Sequence, residues 1–225
     1  MNRATVGSVL FVSAALIFMA AIFPIVNPPG AALVFLALTR GARPEIRRML
    51  ARRVALNAFA VLVGSLLLGA LILRLYGISI PVLRVAGGFI VAMSGWELLK
   101  EGNRKAVDPV EGARTDLLGQ AFYPMTMPLT TGPGTIAVMI SLGLSNAPHD
   151  AEQGMIYLAA SLLAIAVMAV TIYWSFAYAD RLQRLLGPGG TDIAVRLSAF
   201  ILFCLGVQIL WSGASELLAS VVHGS

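Results

Sequence analysis

The polar groups best placed for chemistry in this chain lie in two short stretches. One is Asn27-Pro28-Pro29-Gly30, and the other runs from Thr126 through Thr130, Thr131, Gly132 and Gly134 to Thr135. Both end a P-x-x-x-x-P-G pattern, Pro24 to Gly30 and Pro128 to Gly134, repeated 104 residues apart. Proline brings no backbone N–H and clashes with the preceding turn, so each copy is expected to interrupt a helix. A helix that restarts offers unpaired N–H groups and a positive dipole end, suited to a carboxylate. A helix that stops offers free carbonyls, suited to an ammonium group or Na⁺. Asn27 adds an amide that donates and accepts, the threonines add hydroxyls, and the glycines let a ligand approach the backbone. Together these groups suit a small zwitterion. The competing reading is structural: prolines kink membrane helices, and threonine hydroxyls satisfy the carbonyls that a kink frees.

The elements that position these stretches are apolar helices. Of the 225 residues, 58% are hydrophobic and only 12% charged, and the mean hydropathy is +0.85. A soluble domain carries about twice that charged fraction. Six apolar segments stand between charged linkers: Val6–Thr39, Val54–Leu75, Pro81–Leu99, Leu118–Leu144, Met155–Tyr178 and Ile193–Val222. Each can cross a bilayer, which takes roughly 20 residues. The chain thus reads as one all-α transmembrane domain, 1–225, with six transmembrane helices. The turn Gly187-Pro188-Gly189-Gly190 cannot continue a helix. Arg3 followed by Val6–Phe23 has the order of a signal peptide. Its apolar run is too long and its cleavage signal poor, so the segment is expected to be retained.

The repeat extends beyond the proline motif. Leu83-Arg84-Val85-Ala86 resembles Val195-Arg196-Leu197-Ser198, at an offset of 112, and each leads into a long apolar helix. Repeat one then covers about 6–100, a cytoplasmic linker about 101–117 and repeat two about 118–222. Three spans per repeat is an odd number, so the second must enter from the opposite side, giving a 3+3 inverted repeat with helices 1 and 4 broken. The span length places both breaks near mid-membrane, with re-entrant hairpins the competing geometry. Thirteen of the 16 basic residues fall in or beside the first, third and fifth linkers. By the positive-inside rule those linkers are cytoplasmic and both termini lie outside. The basic stretch from Arg43 to Arg53, with Pro44 in a first helical turn, is expected to lie along the anionic inner leaflet.

Several chemistries are not written in the sequence. Basic residues do not interleave with aromatics, which argues against a nucleic-acid partner despite the net charge of +5. The single cysteine, Cys204, allows no intrachain disulfide and is expected to be a buried thiol. His149 and His223 make no metal pattern, and neither a metalloprotease motif, a nucleophile elbow nor a phosphate loop is present, so no enzyme is expected. Cofactors are not expected either. Val54–Leu73 and Ile156–Tyr178 lack ionisable acids, bases and histidine. Glu97 and Glu216 lie toward helix ends, so coupling through a buried carboxylate has no support. Na⁺ held by carbonyls and hydroxyls, H⁺ coupling and uncoupled exchange are the alternatives left. Arg84 and Arg196 read as snorkelling residues, or as partners for the free carbonyls of a broken helix. Gln208 is a candidate for the cavity, as is Thr126.

At Asn27-Pro28-Pro29-Gly30, at Tyr123-Pro124 through Gly132-Pro133-Gly134, and at Arg84-Val-Ala-Gly87-Gly88, the chain resembles the MarC family of bacterial inner-membrane proteins, also called the neutral amino acid transporter family. The resemblance covers nearly the whole chain. It implies six spans in the inner membrane and, for some members, transport of alanine- or glycine-like amino acids. Pro29 stands where the family often has an aliphatic residue, and Thr130-Thr131 where Leu-Ala is common. The expected function is therefore secondary transport of small neutral amino acids. Export of another small solute or drug is the alternative, as is a non-transporting membrane scaffold or sensor. The expected partners are a small-molecule substrate and the lipid bilayer, with a homo-oligomer left open.

Overall fold

The computed structural model describes residues 3–39, 41–101, 119–123, 125–127, 129–145 and 151–223. All regular structure among them is helical: α1 Arg3–Val26, α2 Pro28–Leu38, α3 Pro44–Tyr76, α4 Ile80–Glu101, α5 Pro133–Ser145, α6 Ala151–Ala177 and α7 Ala179–His223, with a 3₁₀ turn at Gly119–Ala121. Five stretches are long and apolar enough to span a membrane, namely Gly7–Leu36, Pro44–Tyr76, Ile80–Lys100, Glu152–Ala177 and Gly189–Ser220, with Pro133–Leu144 a shorter apolar helix. Large apolar side chains such as Leu67, Leu71, Val170 and Trp211 are exposed along them. On a membrane helix this is the face turned to lipid.

Two expectations are corrected by the helix boundaries. The segment from Leu118 to Leu144 is not a helix broken in its middle. Its described residues before Pro133 are turns, and only the 13 residues of α5 are helical, about 20 Å. Residues Arg43 to Arg53 do not form a separate surface element. Pro44 starts α3, which runs uninterrupted for 33 residues, so the basic stretch extends the membrane helix. At its far end Gly77, at φ 64°, stops α3 in the left-handed conformation, as helix ends commonly do. Gly187, at φ 68°, interrupts α7 where the Gly-Pro-Gly-Gly turn is expected to.

Helices pack mostly across the two halves of the chain. The main partners are α4 with α7, α3 with α6, α1 with α6, α4 with α5, and α3 with α5. Lipid tails are as apolar as leucine, so contact there depends on small residues that let backbones approach. The α4–α7 seam is of this kind. A Cβ added at Gly206 would collide with the Ala92 backbone, one at Gly88 with Leu210, and one at Gly213 with Pro81 and Arg84. Rising α4 numbers meet falling α7 numbers, so the two run antiparallel. A second core of Phe18, Phe35, Leu62, Met125, Ile165 and Phe176 joins α1, α2, α3 and α6. Phe35 and Phe176 stack with centroids 4.5 Å apart.

Two arginines anchor the short helices that follow the motifs. Arg47 of α3, 9% exposed, donates from Nη2 to the Thr39 carbonyl just past α2, at 3.2 Å, and from Nε to the Thr39 hydroxyl. It also pairs with Asp180 at the start of α7. Arg84 of α4 donates to Ser141 Oγ of α5 at 2.8 Å and to Glu216 of α7 at 2.7 Å. Arg84 therefore does not snorkel freely; it cross-links α4 to α5 and α7. Arg196 pairs with Asp192 on its own helix. Cys204 is exposed, not buried, because the inward stripe of α7 is taken by Ala199, Gly206 and Gly213.

Candidate functional site

The first motif breaks its helix at Asn27 and not at its leading proline, since Pro24 lies inside α1. Asn27 has φ 45°, a left-handed conformation that asparagine tolerates better than most residues. Its N–H donates to the Phe23 carbonyl and ends α1, while its own carbonyl accepts the Ala31 N–H and starts α2. The Asn27 side chain then caps α2, with Oδ1 accepting the Gly30 N–H at 3.2 Å. Gly30 is required here, because a Cβ would overlap the Asn27 amide.

The consequence for chemistry is asymmetric. At the start of α2, Pro28 and Pro29 carry no N–H, and those of Gly30 and Ala31 are already bonded to Asn27. The first break thus has no free backbone donor for a carboxylate, contrary to expectation, and only the Asn27 side-chain amide remains as a donor there. It is instead rich in acceptors. Carbonyls of Pro24 and Ile25 would need donors from residues 28 and 29, which are prolines, and Val26 loses the Gly30 N–H to Asn27.

The second break has the opposite character. Thr126 N–H donates to the carbonyls of Ala121 and Phe122, and Met127 N–H to Phe122, while Thr130 and Thr131 both donate to the Thr126 carbonyl. Threonine hydroxyls complete these turns: Thr126 to Ala121, Thr130 to Met125, each at 2.7 Å, and Thr131 to Thr126 at 3.3 Å. All three threonines are buried, so their protons serve the backbone, as the structural reading expects. At the restart, Pro133 has no N–H and Ile136 bonds back to Gly132. Gly134 and Thr135 therefore head α5 with N–H groups that have no intrahelical acceptor. No hydrogen bond of the Thr135 hydroxyl occurs among the described residues.

A pocket of about 100 Å³ opens at this point, bordered by Thr130, Gly132, Pro133, Gly134 and Thr135 from the second break. Ile25, two residues before Asn27, borders it from α1, with Val91 and Ser94 from α4 and Leu202 from α7. The ends of both interrupted segments thus meet one cavity. Asn27, Pro28 and Gly30 do not border it; they shape the end of α1 that does. Thr126 and Thr131 lie buried behind it. Gln208 is exposed on α7 and takes no part in the pocket. Pro124 and Pro128 lie outside the described residues. Ser94, whose hydroxyl donates to Ile90, was not among the expected site residues, and nothing in the sequence marked Ile25 or Val91.

The profile of a family described as MarC family integral membrane protein matches residues 11–218. The chain belongs to the MarC family. A relative named UPF0056 inner membrane protein MarC, from Citrobacter koseri, is 32% identical over 204 residues, covering 88% of this chain and 92% of its own. Proteins of the same name from Salmonella typhimurium and Escherichia coli are also 32% identical, with the same shares covered. No solved structure matches. With its relatives named as inner membrane proteins and five span-length apolar helices of its own, the chain is a multi-pass inner membrane protein.

Proposed function

We propose that this MarC family member is a secondary transporter of small neutral amino acids, alanine- or glycine-like, and that it catalyses no covalent chemistry. The observation that carries the reading is the complementarity of the two breaks at one pocket. Free carbonyls end α1 beside Ile25, and free N–H groups with a positive dipole end begin α5 at Gly134 and Thr135. An ammonium group suits the first and a carboxylate the second. The absence of free backbone N–H groups at the first break favours one polarity, with the ammonium group toward the end of α1. The pocket's size favours a small solute over a drug, since drug-sized sites run about 300–1,000 Å³.

The inverted 3+3 architecture suits this reading, and the packing supports it. Exchanging α1 and α2 with α5, α3 with α6 and α4 with α7 turns the main packings into one another. The α1–α6 packing becomes α3–α5, and α2–α7 becomes α4–α5. The α3–α6, α4–α7 and α1–α5 packings map onto themselves. Antiparallel α4 and α7 are what a two-fold axis in the membrane plane requires. One pocket at the basic end is lined by Arg47 and Arg48 of α3 together with Arg181 and Arg184 of α7. This brings the first and fifth linkers to one end, in keeping with a cytoplasmic placement and with termini outside.

Ligand-induced stabilisation of the purified chain in detergent tests the substrate class. Alanine and glycine should raise the unfolding temperature. Propionate, which lacks the ammonium group, and alanine amide, which lacks the carboxylate, should not. Equal stabilisation by all four, or by none, contradicts the proposal.

A further inference from the structure

A basic pocket and an apolar groove follow one another along the faces of α3 and α6, and transport does not account for them. The pocket, about 210 Å³, is lined by Arg47, Arg48, Arg181 and Arg184, with Asp180 the one carboxylate. Asp180 is paired with Arg47, which leaves Arg48, Arg181 and Arg184 exposed with no ion pair among the described residues. Arg181 is held by Tyr178, its guanidinium 4.9 Å over the ring, and Tyr178 in turn stacks on Trp174 at 5.0 Å.

One turn further into the span, the character changes. An apolar groove of about 390 Å³ continues between the same two helices, with Arg52 at one end and Leu56, Phe59, Val170, Tyr173 and Trp174 along it. Helical spacing makes the two sites one feature. Positions 44, 48, 52, 55, 56 and 59 form one stripe of α3, and 174, 173, 170, 169 and 166 form the facing stripe of α6, with Tyr178 just past its end. Arg48 and Arg52, at i and i+4, are like charges side by side, an arrangement that repels unless an anion lies between them.

We propose that this groove binds one anionic glycerophospholipid of the surrounding bilayer, with its phosphate among Arg48, Arg52, Arg181 and Arg184 and an acyl chain along Phe59, Val170 and Trp174. Arginine forks pair well with phosphate oxygens, and basic pockets between membrane helices hold anionic headgroups. The apolar continuation selects a lipid over a soluble phosphate. A lipid seated there touches α3, α6 and the start of α7 at once, and so ties together helices from both halves of the chain.

Native mass spectrometry of the full chain, released from detergent micelles, tests the proposal. The probes are phosphatidylglycerol, phosphatidylcholine with the same acyl chains, and glycerol 3-phosphate. Phosphatidylglycerol should be retained about tenfold or more over phosphatidylcholine, and glycerol 3-phosphate at the same concentration should not displace it. Arg48→Gln with Arg184→Gln, both exposed, should bring phosphatidylglycerol down to the phosphatidylcholine level. Ala169→Leu, which fills the groove and leaves the charge intact, should also weaken it. Equal retention of the two lipids, retention unchanged in both variants, or displacement by glycerol 3-phosphate would overturn it.

Discussion

Asn27 does the work that a glycine or a long loop does elsewhere. In three backbone and side-chain hydrogen bonds it ends one helix, reverses φ and caps the next. Replacing it should therefore follow conformation before chemistry. Asn27→Ala loses both the cap and the tolerance for a positive φ and should cost about 2 kcal/mol. Asn27→Gly keeps the conformation and should cost well under half of that. Denaturant unfolding in mixed micelles measures both, and equal losses would remove Asn27 from its capping role. The sequence offered Asn27 and the threonines as ligand groups, whereas the hydroxyls of Thr126, Thr130 and Thr131 serve the backbone. Their spacing identifies a break, whereas the direction of a hydroxyl proton depends on which carbonyls the fold leaves free. Thr126, Thr130 and Thr131 turned inward to those carbonyls, and Thr135 alone kept a hydroxyl for the pocket.

At the scale of the helices, the amphipathic logic of soluble proteins fails, and packing follows glycine. Gly88, Gly206 and Gly213 place the α4 and α7 backbones in contact, so one methyl group at the seam must push two helices apart. Gly206→Ala should destabilise by about 1–3 kcal/mol. Gly64→Ala, where an added Cβ meets nothing within 4 Å, should be neutral or stabilising by up to about 1 kcal/mol, since alanine favours the helix. Thermal unfolding of the two variants side by side checks the contrast, and similar behaviour would contradict the seam. Helix positions were largely legible because apolar runs and charged linkers are written in composition. The fourth segment was not, because it carries no charge over a span's length while prolines and threonines bend it into turns. Arg84 misled for a related reason: snorkelling is a statement about length and charge, and Ser141 and Glu216 reach it only through the tertiary fold.

Across the whole molecule, the halves are interlocked and not side by side. Each main packing joins a helix of the first half to one of the second, and within either half the described contacts are slight: α6 with α7, and Arg47 of α3 with Thr39 just past α2. A chain divided within residues 102–118 should give fragments that are degraded when made singly and assemble when co-expressed. Co-purification of the tagged fragments is the readout, and a stable first-half fragment on its own would argue against interlocking. The pocket exists only because of this arrangement, since Ile25 comes from one half and Gly134 and Thr135 from the other. Transport of a zwitterion between these two breaks is the central claim, and uptake of labelled alanine into proteoliposomes tests it most directly. The wild-type chain should accumulate alanine well above protein-free vesicles, with unlabelled glycine competing. Thr135→Val, which keeps the shape but removes the hydroxyl, should weaken uptake about tenfold or more while leaving the unfolding temperature unchanged. Alanine uptake no greater than in empty vesicles, or undiminished in Thr135→Val, would contradict the account.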